Sequence, residues 1–269
     1  MAQKNKTNFS PYKRKNQGKV QSKSRGHLKA DSIYDEEEAN DRLFDIFKNH
    51  DFSHISHEAR LAMAKYYVLL MNEQNKQNIT RMLNFRDIAI KQFIDCAIIN
   101  DLVKLEFPLM DVGTGPGLPG IILKILNPDK PMYLAEGVQK RVNFLKDVRE
   151  SMGIQNLGIF GRNIDLRFLY PMHAVITRAV EDISNTLENV KHSLQLGGVV
   201  YFMKGPNVDE ELQMALEKHG EHYNLESNIK YSLPKSTHDR RLLVFRKIKS
   251  HPTVDLEKIL DLDYENDDE

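Results

Sequence analysis

The sequence predicts an α/β fold with a mostly parallel seven-stranded sheet, a terminal antiparallel strand and an N-terminal helical extension. From Gly113 onward, glycine-rich turns, short β-prone runs and helical patterns alternate, as they do in βαβ units. The connections between most of these runs are long enough for helical crossovers, which join parallel strands. Near the end, two β-prone runs are separated only by a short polar loop, which is typical of an antiparallel pair.

The first elements form a predicted helical region over residues 41–106. Apolar residues recur at helical spacing over residues 61–71, and the polar run at 72–78 predicts a loop after that helix. A second stretch with helical spacing covers residues 88–98. We therefore expect two main helices before the sheet begins.

The α/β domain is predicted over residues 107–249. Helical patterns at residues 142–152 and 183–194 are each followed by glycines, which are common at helix ends. The predicted strands are residues 107–112, 132–135, 157–160, 174–177, 199–203, 229–233 and 242–245.

Both ends of the chain are strongly charged, although the whole chain has 38 basic and 38 acidic residues. Residues 1–30 contain nine Lys or Arg and no acid, whereas residues 255–269 contain eight acids. The low apolar content predicts that residues 1–40 and 250–269 are a basic and an acidic disordered tail. The basic tail is either a solubilising segment or an arm that binds RNA phosphates. The acidic tail is expected to be solvated.

The composition excludes several classes of protein. The single cysteine, Cys96, cannot form an internal disulfide, and thiolate zinc sites and iron-sulfur clusters need more thiols. His50, His54 and His57 have helix-like spacing without a neighbouring thiol, so no metal site is expected. No apolar run approaches the roughly 18 residues of a membrane span. We predict a cytoplasmic monomer that does not bind membranes.

The glycine-rich segment at residues 111–120, DVGTGPGLPG, is the most informative part of the chain. Its four glycines allow a sharp turn and close approach to a ligand, and the following helix offers free N–H groups. A dinucleotide fingerprint would need glycine where Leu118 stands, so phosphate cradling is less favoured. The carboxylate of Asp111 instead suits a ligand with a cationic amino-acid group, such as S-adenosylmethionine. A loop that only turns the chain remains the alternative.

Glu136 ends the next predicted strand, 21 residues after Gly115. A carboxylate at this position can accept hydrogen bonds from both ribose hydroxyls of a nucleoside. An acid after a strand is also common as a surface residue or a helix N-cap. Together with the glycine-rich loop, Glu136 favours the ribose contact.

The sequence resembles the glucose-inhibited division protein B family, the ribosomal RNA small subunit methyltransferases G. Residues 111–121, DVGTGPGLPGI, match that family's cofactor loop throughout, and the resemblance extends over roughly residues 58–247. The other matching segments, in the family's order, are Asn78-Ile79-Thr80, Lys140-Arg141-Val142 with Phe144-Leu145, Gly161-Arg162, Thr177-Arg178-Ala179, Lys204-Gly205 and Arg240 before Leu242-Leu243-Val244.

The resemblance implies a class I methyltransferase-like Rossmann fold that uses S-adenosylmethionine to methylate N7 of one guanine in 16S ribosomal RNA. The implied partner is 16S ribosomal RNA or the small ribosomal subunit. In this family Asn163 and Ile164 would hold the adenine through backbone contacts, and Arg178 would contact the cofactor and the substrate pocket. The full predicted cofactor-binding set is Asp111, Gly113, Thr114, Gly115, Gly117, Leu118, Glu136, Asn163, Ile164 and Arg178.

The chemistry of N7 methylation needs no catalytic nucleophile, because the lone pair of N7 can attack a sulfonium methyl directly. Arg178 would therefore act by positioning. Cys96 lies in an apolar helical stretch and is expected in the core, which disfavours pyrimidine C5 methylation. Further basic residues near strand ends and helix starts are the predicted RNA contacts: Lys140, Arg141, Arg162, Lys204, Arg240 and Arg241.

Several positions depart from the family pattern. Lys91-Gln92 replaces a common Arg-His pair, Cys96 replaces Ser while Asp95 is retained, and Glu136-Gly137 replaces Asp-Ser. Pro206 follows Lys204-Gly205, and Arg240-Arg241 replaces Arg-His. These departures bear on ribose geometry and on the position of the RNA. The alternatives are a methyltransferase for another RNA or a protein, a nicotinamide-dependent oxidoreductase, and a non-catalytic RNA-binding or ribosome assembly protein.

Overall fold

A computed structural model describes residues 32–178 and 181–251 of the chain. The predicted tails lie mostly outside the described residues, so their disorder and RNA contacts remain predictions. Ala179, the last residue of one family segment, is also outside. The helical region begins earlier than the predicted residue 41, because Asp35 caps a helix by accepting a hydrogen bond from the Glu38 amide at 2.8 Å.

Helices precede the sheet and alternate with its strands. The helices are α1 (Glu36–Asn49), α2 (His57–Lys76), α3 (Phe85–Ile88), α4 (Asp95–Leu102), α5 (Gly120–Leu126), α6 (Gln139–Ser151), α7 (Ile183–Asn189) and α8 (Asp209–His219). The strands are β1 (Leu109–Val112), β2 (Met132–Ala135), β3 (Leu157–Phe160), β4 (Met172–Arg178), β5 (Leu194–Lys204), β6 (Tyr223–Ser232) and β7 (Asp239–Lys247).

The seven strands form one sheet in the order β3-β2-β1-β4-β5-β7-β6. Strands β3, β2, β1, β4 and β5 are mutually parallel, and β7 runs antiparallel to both of its neighbours, β5 and β6. The predicted mostly parallel sheet and the late antiparallel pair are therefore confirmed. From β1 the strand order runs outward through β2 to β3 on one side, and it continues with β4 on the other side of β1. The gap between β1 and β4 is therefore a topological switch point, where open α/β sheets bind ligands.

Helices cover both faces of the sheet, because its strands alternate two sets of apolar side chains. Leu109 of β1 faces the core beneath α1 to α6, and the next residue, Met110, faces the core beneath α7 and α8. Within the described residues, no helix has both the length and the apolar character needed to cross a bilayer.

Several predictions of the elements are wrong. Helix α1 precedes the two helices that were expected, and β5 and β6 begin at Leu194 and Tyr223 instead of residues 199 and 229. The polar run at 72–78 was expected to be a loop, but α2 continues to Lys76. The helix predicted over 183–194 stops at Asn189, because Leu194 already pairs with Met172 of β4. Lys247 Nζ donates to the carbonyl oxygen of Lys191 at 2.6 Å and holds the intervening turn.

A π-helical segment, Ala89–Ile94, joins α3 to α4 within the second predicted helix. The apolar spacing indicated a helix here but not the extra residue in its turn. Insertions of this kind are frequent at functional sites. This segment and the start of α4 reach the carboxyl edge of the sheet, where they help to form the cleft.

Candidate active-site cleft

A cleft of about 780 Å³ opens at the carboxyl ends of β1, β4 and β5. The loop after β1 lines one part of it, through residues 113–116 and Leu118. Residues 78–82, the π-helical segment and residues 203–205 line the rest, with the side chains of Arg141, Arg178 and Arg240. The cleft therefore lies at the switch point of the sheet.

The loop after β1 is held by backbone geometry that needs glycine. Gly117 has φ +116°, and a Cβ placed on it would lie 2.6 Å from Cγ1 of Ile121. The amides of Gly113 and Thr114 both donate to the carbonyl oxygen of Ala135 in β2, at 2.9 and 3.1 Å. Tyr66 of α2 donates its hydroxyl to the carbonyl oxygen of Pro116 at 2.9 Å, which ties the helical region to the loop.

Asp111 lies fully buried beneath this loop. Its Oδ2 accepts hydrogen bonds from the Thr114 hydroxyl at 2.6 Å and from the Gly120 amide at 2.7 Å. Its Oδ1 is buried and has no hydrogen-bond partner among the described residues. Burial raises the pKa of the Asp111 carboxyl to about 6, against the opposing effect of those two hydrogen bonds. The second oxygen is suited to accept a donor from a ligand, which fits the cationic amino group of S-adenosylmethionine.

Glu136 follows β2 and is almost completely buried. Its Oε1 accepts a hydrogen bond from the Val138 amide at 2.8 Å, and its Oε2 lies 3.5 Å from Nη1 of Arg141. Beyond the end of β3, Asn163 is exposed and its side chain lies against Gly137, where a Cβ would be only 2.2 Å from Oδ1. The glycine that replaces the family's serine therefore makes room for Asn163.

Ile164, by contrast, is buried in the core beneath α7 and α8. Of the predicted cofactor residues, Asp111, Gly117 and Glu136 are not among those that line the cleft, and neither is Asn163 or Ile164. Asn163 and Ile164 both stand just after β3, which is paired with β2 next to Glu136. Their assignment to the adenine remains a prediction.

Arg178 ends β4 and joins a buried ion-pair group at the floor of the cleft. Its Nη1 lies 3.4 Å from Oδ2 of Asp95, and Nε of Arg240 lies 3.4 Å from Oδ1 of the same carboxylate. Asp95 is 3% exposed, and its burial raises the pKa of the carboxyl although both arginines lower it. Asp95 thus fixes two guanidinium groups that come from strands β4 and β7.

The predicted basic residues do not all reach the cleft. Arg141, Arg178, Lys204 and Arg240 line it, whereas Arg241 does not. Neighbouring residues of a strand face opposite sides, so Arg241 points away from Arg240 and pairs with Asp209 at 2.9 Å. Lys204 Nζ donates to the Glu181 carbonyl and to Glu211, both at 2.7 Å.

Two other predicted RNA contacts lie outside the cleft lining. Lys140 is exposed in the first turn of α6. Arg162 pairs with Asp165 at 3.0 Å and lies over the ring of Phe168. The predicted single basic surface is therefore divided between the cleft and these neighbouring positions.

The predicted site set left out several residues that line or support the cleft. Gln74 is fully buried in α2, and its Oε1 accepts hydrogen bonds from the amides of Ile79 and Thr80 at 2.8 and 2.9 Å. It fixes the start of segment 78–82. Gln92 and Asp95 line the cleft from the helical side. Gln74 lies four residues after Leu70, on the apolar face of α2. A polar residue at such a position is the sequence signal that could have identified it.

Cys96 was expected in the core, and it is fully buried there. Burial raises the pKa of its thiol to about 12. A thiol with this pKa is a poor nucleophile at neutral pH, so Cys96 is unsuited to covalent catalysis.

Comparisons with known proteins agree on one family. A family model described as rRNA small subunit methyltransferase G (GidB) matches residues 60–244. Ribosomal RNA small subunit methyltransferase G 2 of Bdellovibrio bacteriovorus is 55% identical over 226 residues, which cover 84% of this chain and 89% of the relative. The enzyme named methyltransferase G of Clostridium tetani is 34% identical, with 71% of this chain and 83% of the relative covered.

Two further matches are more partial. Methyltransferase G 2 of Syntrophobacter fumaroxidans is 39% identical over 71% of this chain, but the match spans only 38% of that relative. Among solved structures, a SAM-dependent O-methyltransferase from Thermotoga maritima has a TM-score of 0.44 and 16% identity, covering 59% of this chain and 66% of the other.

Proposed function

The chain belongs to the rRNA small subunit methyltransferase G family, and we propose that it transfers a methyl group from S-adenosylmethionine to N7 of one guanine in 16S ribosomal RNA. One observation carries the proposal: the glycine-rich loop over Asp111 and the buried arginine pair on Asp95 meet in a single cleft at the switch point. The first feature fits the methyl donor and the second fits a nucleotide.

The residues present fit S-adenosylmethionine. Asp111 Oδ1 would accept a hydrogen bond from its amino group, because this buried oxygen has no hydrogen-bond partner in the described part of the chain. Glu136 would accept from the ribose hydroxyls, and Gly113 and Leu118 would lie beside the methionine and sugar. When bound, this cofactor supplies an electrophilic methyl group on a positively charged sulfur.

Guanine N7 reacts through a lone pair and requires no prior loss of a proton. The chain therefore has to orient the base, exclude water and hold the RNA. Among the lining residues Asp95 is the only carboxylate, and it forms ion pairs with two arginines, so the cleft is not built around a general base. Arg178 would position the nucleotide through a phosphate or a base oxygen.

The charge of the cleft supports an RNA substrate. Six of the described lining residues are basic and only Asp95 is acidic; the basic ones are Arg81, Lys91, Arg141, Arg178, Lys204 and Arg240. Binding to RNA phosphates through such residues releases counterions and weakens as salt rises. We propose Lys140 and Arg162 as more peripheral contributors, and we leave out Arg241 because it is buried and pairs with Asp209. The proposed enzyme acts as a cytoplasmic monomer on the small ribosomal subunit or its RNA.

Methyl transfer with mapping of the product tests the proposed function. Protein would be incubated with methyl-labelled S-adenosylmethionine and either naked 16S RNA or small subunits from cells that lack the modification. We expect label at N7 of a single guanine, detected by strand cleavage at the methylated base. Asp111→Asn should lose transfer, and Arg149→Gln, on α6 away from the cleft lining, should keep it.

Failure of the wild-type chain to label any RNA, although it binds the cofactor, would refute the ribosomal assignment. Label in a ribosomal protein instead of RNA would identify another acceptor. Sedimentation of the protein with small subunits, measured at low and high salt, separates a failure of binding from a failure of transfer.

A further inference from the structure

Two buried acceptor atoms on the helical wall of the cleft lack hydrogen-bond partners in the described part of the chain. They are Oε1 of Gln92, in the π-helical segment, and Oδ1 of Asp95, at the start of α4. Gln92 is 7% exposed and Asp95 is 3% exposed, and both line the cleft. Two acceptors therefore stand at the same wall, three positions apart in the chain.

Burying an oxygen that accepts no hydrogen bond destabilises the folded state. Such atoms are therefore rare in native proteins, and those that occur often have a function. Asp95 is partly compensated, because Arg240 lies 3.4 Å from the same Oδ1. For Gln92 Oε1, the described residues provide no hydrogen-bond donor. Because Gln92 is one of the residues that line the cleft, a molecule bound there could offer the donor that this oxygen lacks.

The chemistry of the missing partner follows from the atoms around it. Two acceptors on one wall of the cleft fit a molecule that carries two donors on one edge, and the Watson–Crick edge of guanine carries N1–H beside the exocyclic N2 amine. Adenine has an acceptor at N1 and no donor at C2. Arg178 and Arg240, which flank Asp95, offer N–H groups suited to the O6 acceptor of guanine. Holding guanine by this edge leaves N7 free, because N7 lies on the five-membered ring.

We propose that Gln92 Oε1 and Asp95 Oδ1 accept hydrogen bonds from the N1–H and N2 amine of the target guanine, which makes Gln92 a residue that selects guanine. This inference rests on the proposed function and identifies how its substrate base is recognised. Enzymes that act on a single base commonly take it out of the stack and contact its Watson–Crick edge. A site built to receive donors also rejects a base that lacks them.

The test compares bases at one position in the RNA. The target nucleotide, once mapped, is replaced by inosine, which lacks the N2 amine, or by 2-aminopurine, which lacks N1–H and O6. Gln92→Met removes the acceptor at similar size, and Gln92→Glu keeps an acceptor oxygen. Lys91→Met is the matched control, because Lys91 lines the same wall but pairs with Asp87 at 2.8 Å.

We expect the wild type to prefer guanine over at least one analogue by about 10-fold to 100-fold in kcat/KM. Gln92→Met should reduce that preference by about fivefold or more, whereas Gln92→Glu should retain it. Lys91→Met should lower kcat/KM for guanine and both analogues by the same factor. Comparing ratios between variants cancels the different intrinsic reactivities of the bases.

Equal preferences in the wild type and Gln92→Met would overturn the inference. Cofactor binding by calorimetry and the melting temperature would show that each variant is folded, and Gln92→Ala serves as a second removal variant if Gln92→Met is not. No methylation of the guanine substrate by the wild type would instead refute the proposed function. The two failures are thus distinguishable.

Discussion

Replacing Asp111 by asparagine should change the stability of the cofactor-free protein more favourably at pH 7 than at pH 5. Burial raises the pKa of Asp111 from 3.8 to about 6, so the folded state holds this proton more tightly than the unfolded state. The wild type therefore loses stability as pH rises through about 6, and the ionised carboxylate costs up to about 3 kcal/mol in the folded state. Between pH 7 and pH 5 the wild type should gain on the order of 1 kcal/mol from this group alone.

The asparagine side chain does not titrate, so the Asp111→Asn variant should lack that gain. The assay is urea unfolding of both proteins without cofactor at pH 7 and pH 5, because the difference between them cancels the titration of all other groups. The stability of Asp111→Asn minus that of the wild type should fall by on the order of 1 kcal/mol on acidification. Affinity for S-adenosylmethionine at pH 7 should nevertheless drop by about 10-fold to 100-fold, because the anionic acceptor is lost.

A stability difference that does not change with pH would refute this account of Asp111. So would a difference that grows on acidification, since its sign would place the folded pKa below the unfolded one. Unchanged cofactor affinity would refute the contact between Asp111 and the amino group of the cofactor. It would leave the effect of burial on the pKa of Asp111 untouched.

Three further substitutions test other contacts at the cleft. Gly120→Ala should destabilise the protein by about 1–3 kcal/mol in thermal unfolding, because the new Cβ would lie 2.2 Å from Cδ2 of Leu134. Gln74→Leu should lower kcat/KM by about tenfold while leaving cofactor affinity unchanged in calorimetry, because two amides of segment 78–82 lose their acceptor. Asp95→Ala should cost about 3–5 kcal/mol in urea unfolding, because it leaves Arg178 buried without its counter-charge. A loss of less than about 1 kcal/mol in that variant would show that solvent already screens the pair.

The mostly parallel sheet was predictable because local signals agreed with the global fold. Short β-prone runs, crossover lengths and glycine turns all indicated parallel strands. Element ends were less predictable, since tertiary pairing decides them. The helix predicted through 194 ends at Asn189 because strand pairing takes over at Leu194. The π-helical turn leaves no mark in apolar spacing that separates it from an ordinary helix.

The cofactor side of the cleft was predictable because its residues are consecutive. The sequence of the loop after β1 shows an acid followed by closely spaced glycines. Three of these glycines, Gly113, Gly115 and Gly117, have positive φ in the structure. On the substrate side, Arg178 and Arg240 were predicted as contacts, but their shared pairing with Asp95 was not. These residues come from three distant parts of the chain, and only the fold brings them together. The opposite directions of Arg240 and Arg241 depended on the register of β7, which the sequence leaves open by one residue.

The place of β7 in the sheet has a consequence for protein synthesis. This strand is the last of the sheet in chain order, yet it inserts between β5 and β6 and brings Arg240 to Asp95. A nascent chain that has emerged only as far as β6 holds the cofactor loop but lacks one of the two guanidinium groups on the cleft floor. Its edge at β5 also remains unpaired until β7 arrives. Competence for transfer is therefore acquired only after β7 has emerged, and fragments that stop before residue 239 should bind no substrate productively.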